Sequence, residues 1–293
     1  LMQENIGYAC MTETPCVIVD VQRAGPGTGI ATDTGQGDFY QVRYGSNSDY
    51  SIIALAPESP QEMFDFTVQA FNLSETYRVP CFVLADEVVG HMRERVIIPS
   101  KLDLLTRKAP TVPPDKFLPW KAEGNPPVPP MPSFGDGYRL PVIGISHSET
   151  GGPHRDGYQG HKRLVDRLYH KVEDHADVLA RHEDLFLDDA ELVLMGYGSV
   201  ARAARSAAKM AREKGLKVGY SRLITLWPFP DAYVRSVASN TKAILVCEMS
   251  EGKLSREVER ASHGKAEIAL HSKPGVELHS PYEILEEAKR FVR

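Results

Sequence analysis

Apolar residues gather in short unbroken blocks along this chain. CVIVDV (16–21), SIIALA (51–56) and PCFVLAD (80–86) are three such blocks, with a helically spaced stretch between the second and third. Continuous rather than alternating runs predict strands covered on both faces, as in parallel sheets with helices on either side. The intervening helix should start at Ser59, with Pro60 in its first position and Glu62 three residues on as a capping box. Met63, Phe66, Ala70 and Phe71 are its expected buried stripe. The alternation resumes near Asp188: AELVLMGYGS reads as strand then turn, 200–214 as an alanine-rich helix, KVGYSRL as a strand, Pro230 to Asn240 as a short helix and KAILVCE as a strand. A helix at 253–262, a strand near 266–270 and a closing helix at Ser280, whose SPYE repeats the capping pattern, complete it. The chain therefore reads as α/β twice over, with two sheets and two cores.

Nine prolines between Ala109 and Pro132 forbid a helix there and favour an extended arm. Phe117, Trp120 and Phe134 suggest that parts of the arm dock on a surface. The glycine- and histidine-rich stretch 135–165 is expected to form short β ribbons, and a charged helix to run from about 160 to 182. The expected division is 1–100, a linking arm, ribbon and helix over 101–187, and 188–293.

The 293 residues carry a net charge of −5 with both signs interspersed, so no basic stripe calls for nucleic acid and no polybasic segment for a membrane. No run is long enough to span a bilayer and no secretory signal is visible, from which a cytoplasmic location is expected. Cys10, Cys16, Cys81 and Cys247 are scattered, with no CxxC pair, as in a reducing compartment. Cys16 and Cys81 read as small buried hydrophobes. This spacing offers no ligand set for a structural zinc or an iron–sulfur cluster. The opening LMQENIGYACMTET reads as the later part of an amphipathic helix, so the front of the first domain is expected upstream of Leu1.

Chemistry concentrates in VQRAGPGTGIATDTGQGD (21–38), which leaves the first strand at its carboxyl end, where α/β sheets place ligands. Gly25, Gly27, Gly29, Gly35 and Gly37 allow close backbone approach, and Thr28, Thr32 and Thr34 offer hydroxyls. Arg23 is the one permanent cation, able to hold a carboxylate with two parallel hydrogen bonds. A plain glycine-rich crossover, with Arg23 paired to Asp20, Asp33 or Asp38, explains the composition equally well. The loop is neither a P-loop nor a GxGxxG fingerprint.

VDVQRAGPGTGIAT, the following GQGDFYQVRYGSNSDYSIIALAPESPQEMFDF, YRLPVIGISHSETGGP and the C-terminal domain together resemble the α subunits of 2-oxoacid:ferredoxin oxidoreductases, which use thiamine diphosphate. The resemblance implies the later part of a thiamine pyrimidine-binding domain over 1–100 and a transketolase-C-terminal-like domain from 188. It implies coenzyme A-dependent oxidative decarboxylation of a 2-oxoacid, 2-oxoglutarate before pyruvate, with electrons passed to ferredoxin. By the same resemblance Arg23 and Thr32, nine residues apart, recognise the oxoacid carboxylate, and Gly25, Gly27, Thr28 and Gly29 line the cofactor. The family's usual serine is Gly27 here and its frequent proline is Ala31; neither change removes the guanidinium or the hydroxyl. The acid that activates the thiamine ring lies upstream in such subunits, so no catalytic residue and no metal ligand is assigned to this chain. Mg²⁺, an iron–sulfur cluster and a share of the thiamine site are implied for a β subunit, without which the chain should be inactive. Another 2-oxoacid, or an assembly role without catalysis, are the competing readings.

Three further features stand apart. MGYGSVARAA is shaped like an anion-binding strand-to-helix turn, though Gly196 and Gly198 serve a tight turn equally well. His147, His154, His161 and His170 match no compact metal set. Glu248, at a strand end, is expected to serve a domain interface.

Overall fold

The computed structural model describes residues 2–275 and 277–292. Its first part comprises α1 (Met2–Met11), β1 (Cys16–Ala24), β2 (Ile30–Thr34), α2 (Gln41–Tyr44), β3 (Ile53–Leu55), α3 (Pro60–Tyr77), β4 (Pro80–Asp86) and α4 (Glu87–His91). After the arm come α5 (Tyr158–Glu173), α6 (Ala176–Leu179), β5 (His182–Leu185), β6 (Leu192–Gly196), α7 (Gly198–Glu213), β7 (Val218–Leu223) and β8 (Thr225–Trp227). The chain closes with α8 (Asp231–Ser239), β9 (Ala243–Glu248), α9 (Lys253–Ser262), β10 (Glu267–Ser272) and α10 (Pro281–Ala288).

Two five-stranded sheets result, ordered β2-β1-β4-β3-β8 and β10-β9-β6-β7-β5. Three of the four pairings of the second sheet and both central pairings of the first are parallel, as the unbroken apolar runs require. The edge strands β2, β8 and β5 are antiparallel, a departure from the all-parallel expectation. β2 has no alternative, because five residues are too few for a parallel crossover.

Helix α3 starts where expected, with the Ser59 hydroxyl accepting from Glu62 N at 3.2 Å. The reciprocal half of the box is open: Glu62 Oε2 accepts from Glu58 N instead, and its Oε1 takes the buried Arg222 guanidinium at 2.6 Å. The buried stripe is Phe66, Ala70, Ser74 and Tyr77. Phe71, one residue off that stripe, is 52% exposed, so its placement in the core is corrected. At α10 the box is complete, through Ser280 and Glu283.

The expected ribbons of 135–165 do not form. Among the described residues the arm carries one isolated bridge, Glu123 to Val128, and one 3-10 turn, Pro114–Lys116, and otherwise has no helix or strand until α5. Prolines cannot donate to a ladder, and the arm is strapped by side chains instead. Gln61 pairs with both backbone groups of Ile97 (2.7 and 3.2 Å), and Asn72 with Asp103 O and Leu105 N (2.8 Å each). The charged helix ends at Glu173, short of residue 182, where β5 begins.

Nor are there two separate cores. The largest cluster joins Phe39, Ile52, Phe82 and Leu84 of the first lobe to Met195, Leu223, Val246 and Val258 of the second. β8 leaves β7 after one residue and pairs with β3, carrying Trp227 across to donate to Phe39 O at 2.9 Å. Arg222, fully buried, clamps the same seam through Glu58 at 2.9 Å as well as Glu62, and Arg205 reaches Glu58 at 2.7 Å. A second cluster lies between the second sheet, α7 and α10, where the alanines of α7 permit close approach. Among the described residues no helix is long and apolar enough to cross a membrane.

Candidate functional site

β1 and β4 run parallel in register from Cys16↔Pro80 to Gln22↔Asp86, so their carboxyl ends converge on one edge of the first sheet. Even-numbered Gln22 and Ala24 are buried there, while Val19, Val21 and Arg23 are exposed on the opposite face. Beyond Ala24 the glycine loop is a hairpin rather than a crossover. Ala24 pairs with Ile30 and Arg23 with Thr34, so Ala31, Thr32 and Asp33 bulge from β2 without partners. The bulge places Thr32 opposite the Arg23–Ala24 step of β1.

The glycines divide into two kinds. A Cβ on Gly29, whose φ is +48°, would overlap the Ala24 carbonyl, and one on Gly35 would lie 2.7 Å from Arg23 O, so both are consumed by the hairpin. Gly27, at φ +63°, has nothing within 4 Å of its Cβ position, and Gly25 meets only Gly27 N at 3.8 Å. Gly25, Gly27 and Thr28 thus form an exposed tip. Arg23 is exposed as well; among the described residues it makes no ion pair and no side-chain hydrogen bond, so the crossover reading with a paired Arg23 is not what forms.

The base of the loop, in contrast, is clasped by the second sheet. Gln36 N donates to Met249 O (2.9 Å), Gln36 Oε1 accepts from Met249 N (3.1 Å), and Gln36 Nε2 donates to Tyr197 O (3.0 Å). The Lys253 ammonium donates to Gly37 O, and Asp38 N donates to Gln22 Oε1 at 3.1 Å. Burial raises the Asp38 carboxyl, while Lys253 and Arg23 pull it back. Burial, with the charge of Asp38 beside it, pushes Asp20 up to about 6. A protonatable carboxyl therefore lies behind the strand that carries Arg23. Gln22, Gln36 and Lys253 carry no signal of their own in the sequence, where GQGD reads as more of the same glycine loop.

The MGYGS turn does bind an anion, and it is this chain's own. Asp86 Oδ2 accepts from Ser199 N at the start of α7 (2.8 Å) and from Gln36 Nε2 (3.3 Å), while Oδ1 caps α4 through Val89 N (3.2 Å). At Gly198, with φ +59°, a Cβ would lie 2.5 Å from that carboxylate. The turn is filled, and Asp86 joins β4, the hairpin base and α7. Glu248 caps α9 in the same manner, accepting from Lys253, Leu254 and Ser255 N at 2.9, 3.1 and 2.9 Å. Its carboxylate stays within the second lobe. His154 and His161 share Ser146 Oγ, His170 pairs with Asp174, and His147 packs against Trp120 with the rings tilted by 46°. Among the described residues no three His, Cys, Asp or Glu side chains converge as a metal site. Cys81 is fully buried and Cys16 only partly; burial raises both thiols.

Residues 1–167 match the family described as "Pyruvate flavodoxin/ferredoxin oxidoreductase, thiamine diP-bdg", and residues 190–284 match "Pyruvate:ferredoxin oxidoreductase core domain II". The chain is 50% identical to 2-oxoglutarate synthase subunit KorA of Methanothermobacter marburgensis, over 97% of this chain and 76% of that protein. It is 34% identical to ketoisovalerate oxidoreductase subunit VorB of Methanothermobacter thermautotrophicus, over 99% of this chain and 74% of that one. A solved structure, 2-oxoglutarate:ferredoxin oxidoreductase from Magnetococcus marinus with 2-oxoglutarate, coenzyme A and succinyl-CoA bound, is similar with a TM-score of 0.86 at 25% identity. The match covers all of this chain and 51% of that one, so the chain spans about half its length.

Proposed function

The chain belongs to the α subunits of the 2-oxoacid:ferredoxin oxidoreductases, and on that premise we propose that it recognises 2-oxoglutarate for coenzyme A-dependent oxidative decarboxylation with electrons passed to ferredoxin. Three relatives named for 2-oxoglutarate are 47–50% identical and others with that name 30–37%, whereas those named for ketoisovalerate are 34% identical; the three at 47–50% favour the dicarboxylate. The observation that carries the reading is Arg23: a guanidinium that feels the Asp38 charge but makes no ion pair among the described residues, on a strand hydrogen-bonded along both edges near its end, facing solvent where the parallel strands finish. A substrate carboxylate supplies what this cation lacks, and the Thr32 hydroxyl in the bulge adds a second, neutral contact. Because β1 fixes the backbone beneath Arg23, the clamp acts by orientation, holding the oxoacid in one register.

The hairpin tip fits one side of a thiamine diphosphate site. Gly25 and Gly27 present backbone with no Cβ in the way, and Thr28 offers a hydroxyl; Gly29 contributes the turn rather than a contact. The cofactor, when bound, supplies the electron sink for decarboxylation. Mg²⁺ and the iron–sulfur cluster are assigned to a β subunit, and the activity to the assembled heteromer working in a reducing cytoplasm, where the four free cysteines persist as thiols. In the complete complex, Arg23→Ala should raise KM for 2-oxoglutarate roughly 10- to 100-fold, the value of a charge-assisted pair. Unchanged KM and kcat would remove the clamp.

A further inference from the structure

Arg23 has Asp20, Asp33 and Asp38 close by in the chain, yet among the described residues it forms an ion pair with none of them. Asp20 is removed by strand alternation, since it shares the face of Gln22 and Ala24 while Arg23 points to the other. Asp38 is the competitor. Its backbone N donates to Gln22 Oε1 at 3.1 Å, which ties residue 38 to the β1 position next to Arg23, and the Arg23 charge acts on its carboxyl. An exposed guanidinium with a carboxylate at hand should close on it.

What holds it off arrives from the second lobe. The two hydrogen bonds exchanged by Gln36 and Met249 fix the register of that contact, and Thr34 Oγ donates to Met249 Sδ at 3.4 Å. Four residues after Met249, Lys253 opens α9, its own N held by Glu248 Oε2 at 2.9 Å. That anchorage brings the ammonium to the hairpin base: it donates to Gly37 O, and Nζ lies 3.7 Å from where a Gly37 Cβ would stand. Asp38 is the next residue. Lys253 has no ion pair of its own among the described residues, so its charge is left to act there. Burial raises the Asp38 carboxyl, and of the two cations that pull it back Lys253 is the stronger and Arg23 the weaker.

Resting on the reading of Arg23 as the oxoacid clamp, we propose that Lys253 is a positioning residue: held on Gly37 O, its ammonium offsets the Asp38 charge and so keeps Arg23 open for the substrate carboxylate. The clamp then depends on both lobes, because the guanidinium and its competitor come from one and the counter-charge from the other. Without Lys253, Arg23 divides its time between Asp38 and the open state. Only the open fraction binds substrate, so the apparent affinity falls by the factor by which that fraction falls.

The test uses the assembled complex with the β subunit and two readouts: KM for 2-oxoglutarate, and the rate at which phenylglyoxal modifies Arg23 in the absence of substrate, followed by peptide mapping. Lys253→Met keeps the stem and deletes the charge. It should raise KM about three- to ten-fold at unchanged kcat and slow Arg23 modification by the same factor. Should that variant not assemble, Lys253→Gln, which retains an amide donor for Gly37 O without the charge, carries the same expectation. Adding Asp38→Asn should restore both values, and Lys253→Arg should keep both near the wild type. Were Lys253 only a strut for the Gly37 carbonyl, Asp38→Asn would rescue nothing. An unrescued double variant, unchanged Arg23 reactivity in Lys253→Met, or an Arg23 already unreactive in the wild type would overturn the proposal. Failure of the clamp itself reads differently: Arg23→Ala leaves KM unchanged while Lys253→Met still slows Arg23 modification. That result removes the clamp, and the proposal with it, while leaving the charge balance in place.

Discussion

Removing the Asp86 carboxylate should loosen the seam between the two lobes. Asp86→Ala deletes the cap of α4 and leaves Ser199 N and Gln36 Nε2 facing a space their acceptor had filled. A lost cap costs about 1 kcal/mol and each of the two orphaned donors about 1–3 kcal/mol, so the total should be about 3–7 kcal/mol. Burial raises this carboxyl against the pull of its N–H donors, so the cost arises from the donors left behind rather than from the lost charge. Gly198→Ala provides the second arm of a cycle: at φ +59° and 2.5 Å from Asp86 Oδ2, the added methyl is strained and overlapping. With Asp86 already alanine, the overlap is gone and Gly198→Ala should cost about 1–2 kcal/mol less than in the wild type. Urea unfolding of the four proteins, followed by tryptophan fluorescence and circular dichroism, gives the coupling. Additivity within about 0.5 kcal/mol, or a cost for Asp86→Ala below about 1 kcal/mol, would refute the lock.

Gly29→Ala should distort the hairpin, because its Cβ overlaps the Ala24 carbonyl; oxoacid turnover should collapse while far-ultraviolet circular dichroism stays unchanged, and retained kcat/KM would count against it. Asp20, pushed up to about 6 from an ordinary value of 3.8, binds its proton more tightly folded than unfolded. The stability it contributes is therefore present below about pH 4 and lost as pH rises through about 6, by at most about 3 kcal/mol. Asp20→Asn should accordingly raise Tm at pH 7.5 and change it little at pH 4; a lowered Tm at pH 7.5 would contradict this assignment.

Strand positions were legible because a run such as PCFVLAD leaves no polar face, and every residue of β4 is indeed buried. The start of α3 was legible because Ser59 and Pro60 act locally. Long-range partners were not. Whether Glu62 closes its own capping box depends on Arg222, 160 positions away, and nothing near residue 62 reveals it. Arg23 stood out as a lone cation in a glycine loop, and the hairpin shows it unpaired; yet the residues that hold the loop base, Gln36 and Lys253, have no local signature because their partners lie in the other lobe. The anion-shaped turn at Gly198 was legible as a shape, but its occupant was 113 residues away.

β8 has a consequence for synthesis. Its pairing with β3 joins positions about 170 apart, Ala54 with Trp227, so the edge of the first sheet stays open until residue 227 has left the ribosome. Contacts of such separation are slow to form, and an unpaired edge invites association with other chains in the interval. The amino-terminal half is thus not an autonomous unit to be finished first: a nascent chain halted before β8 should need a chaperone.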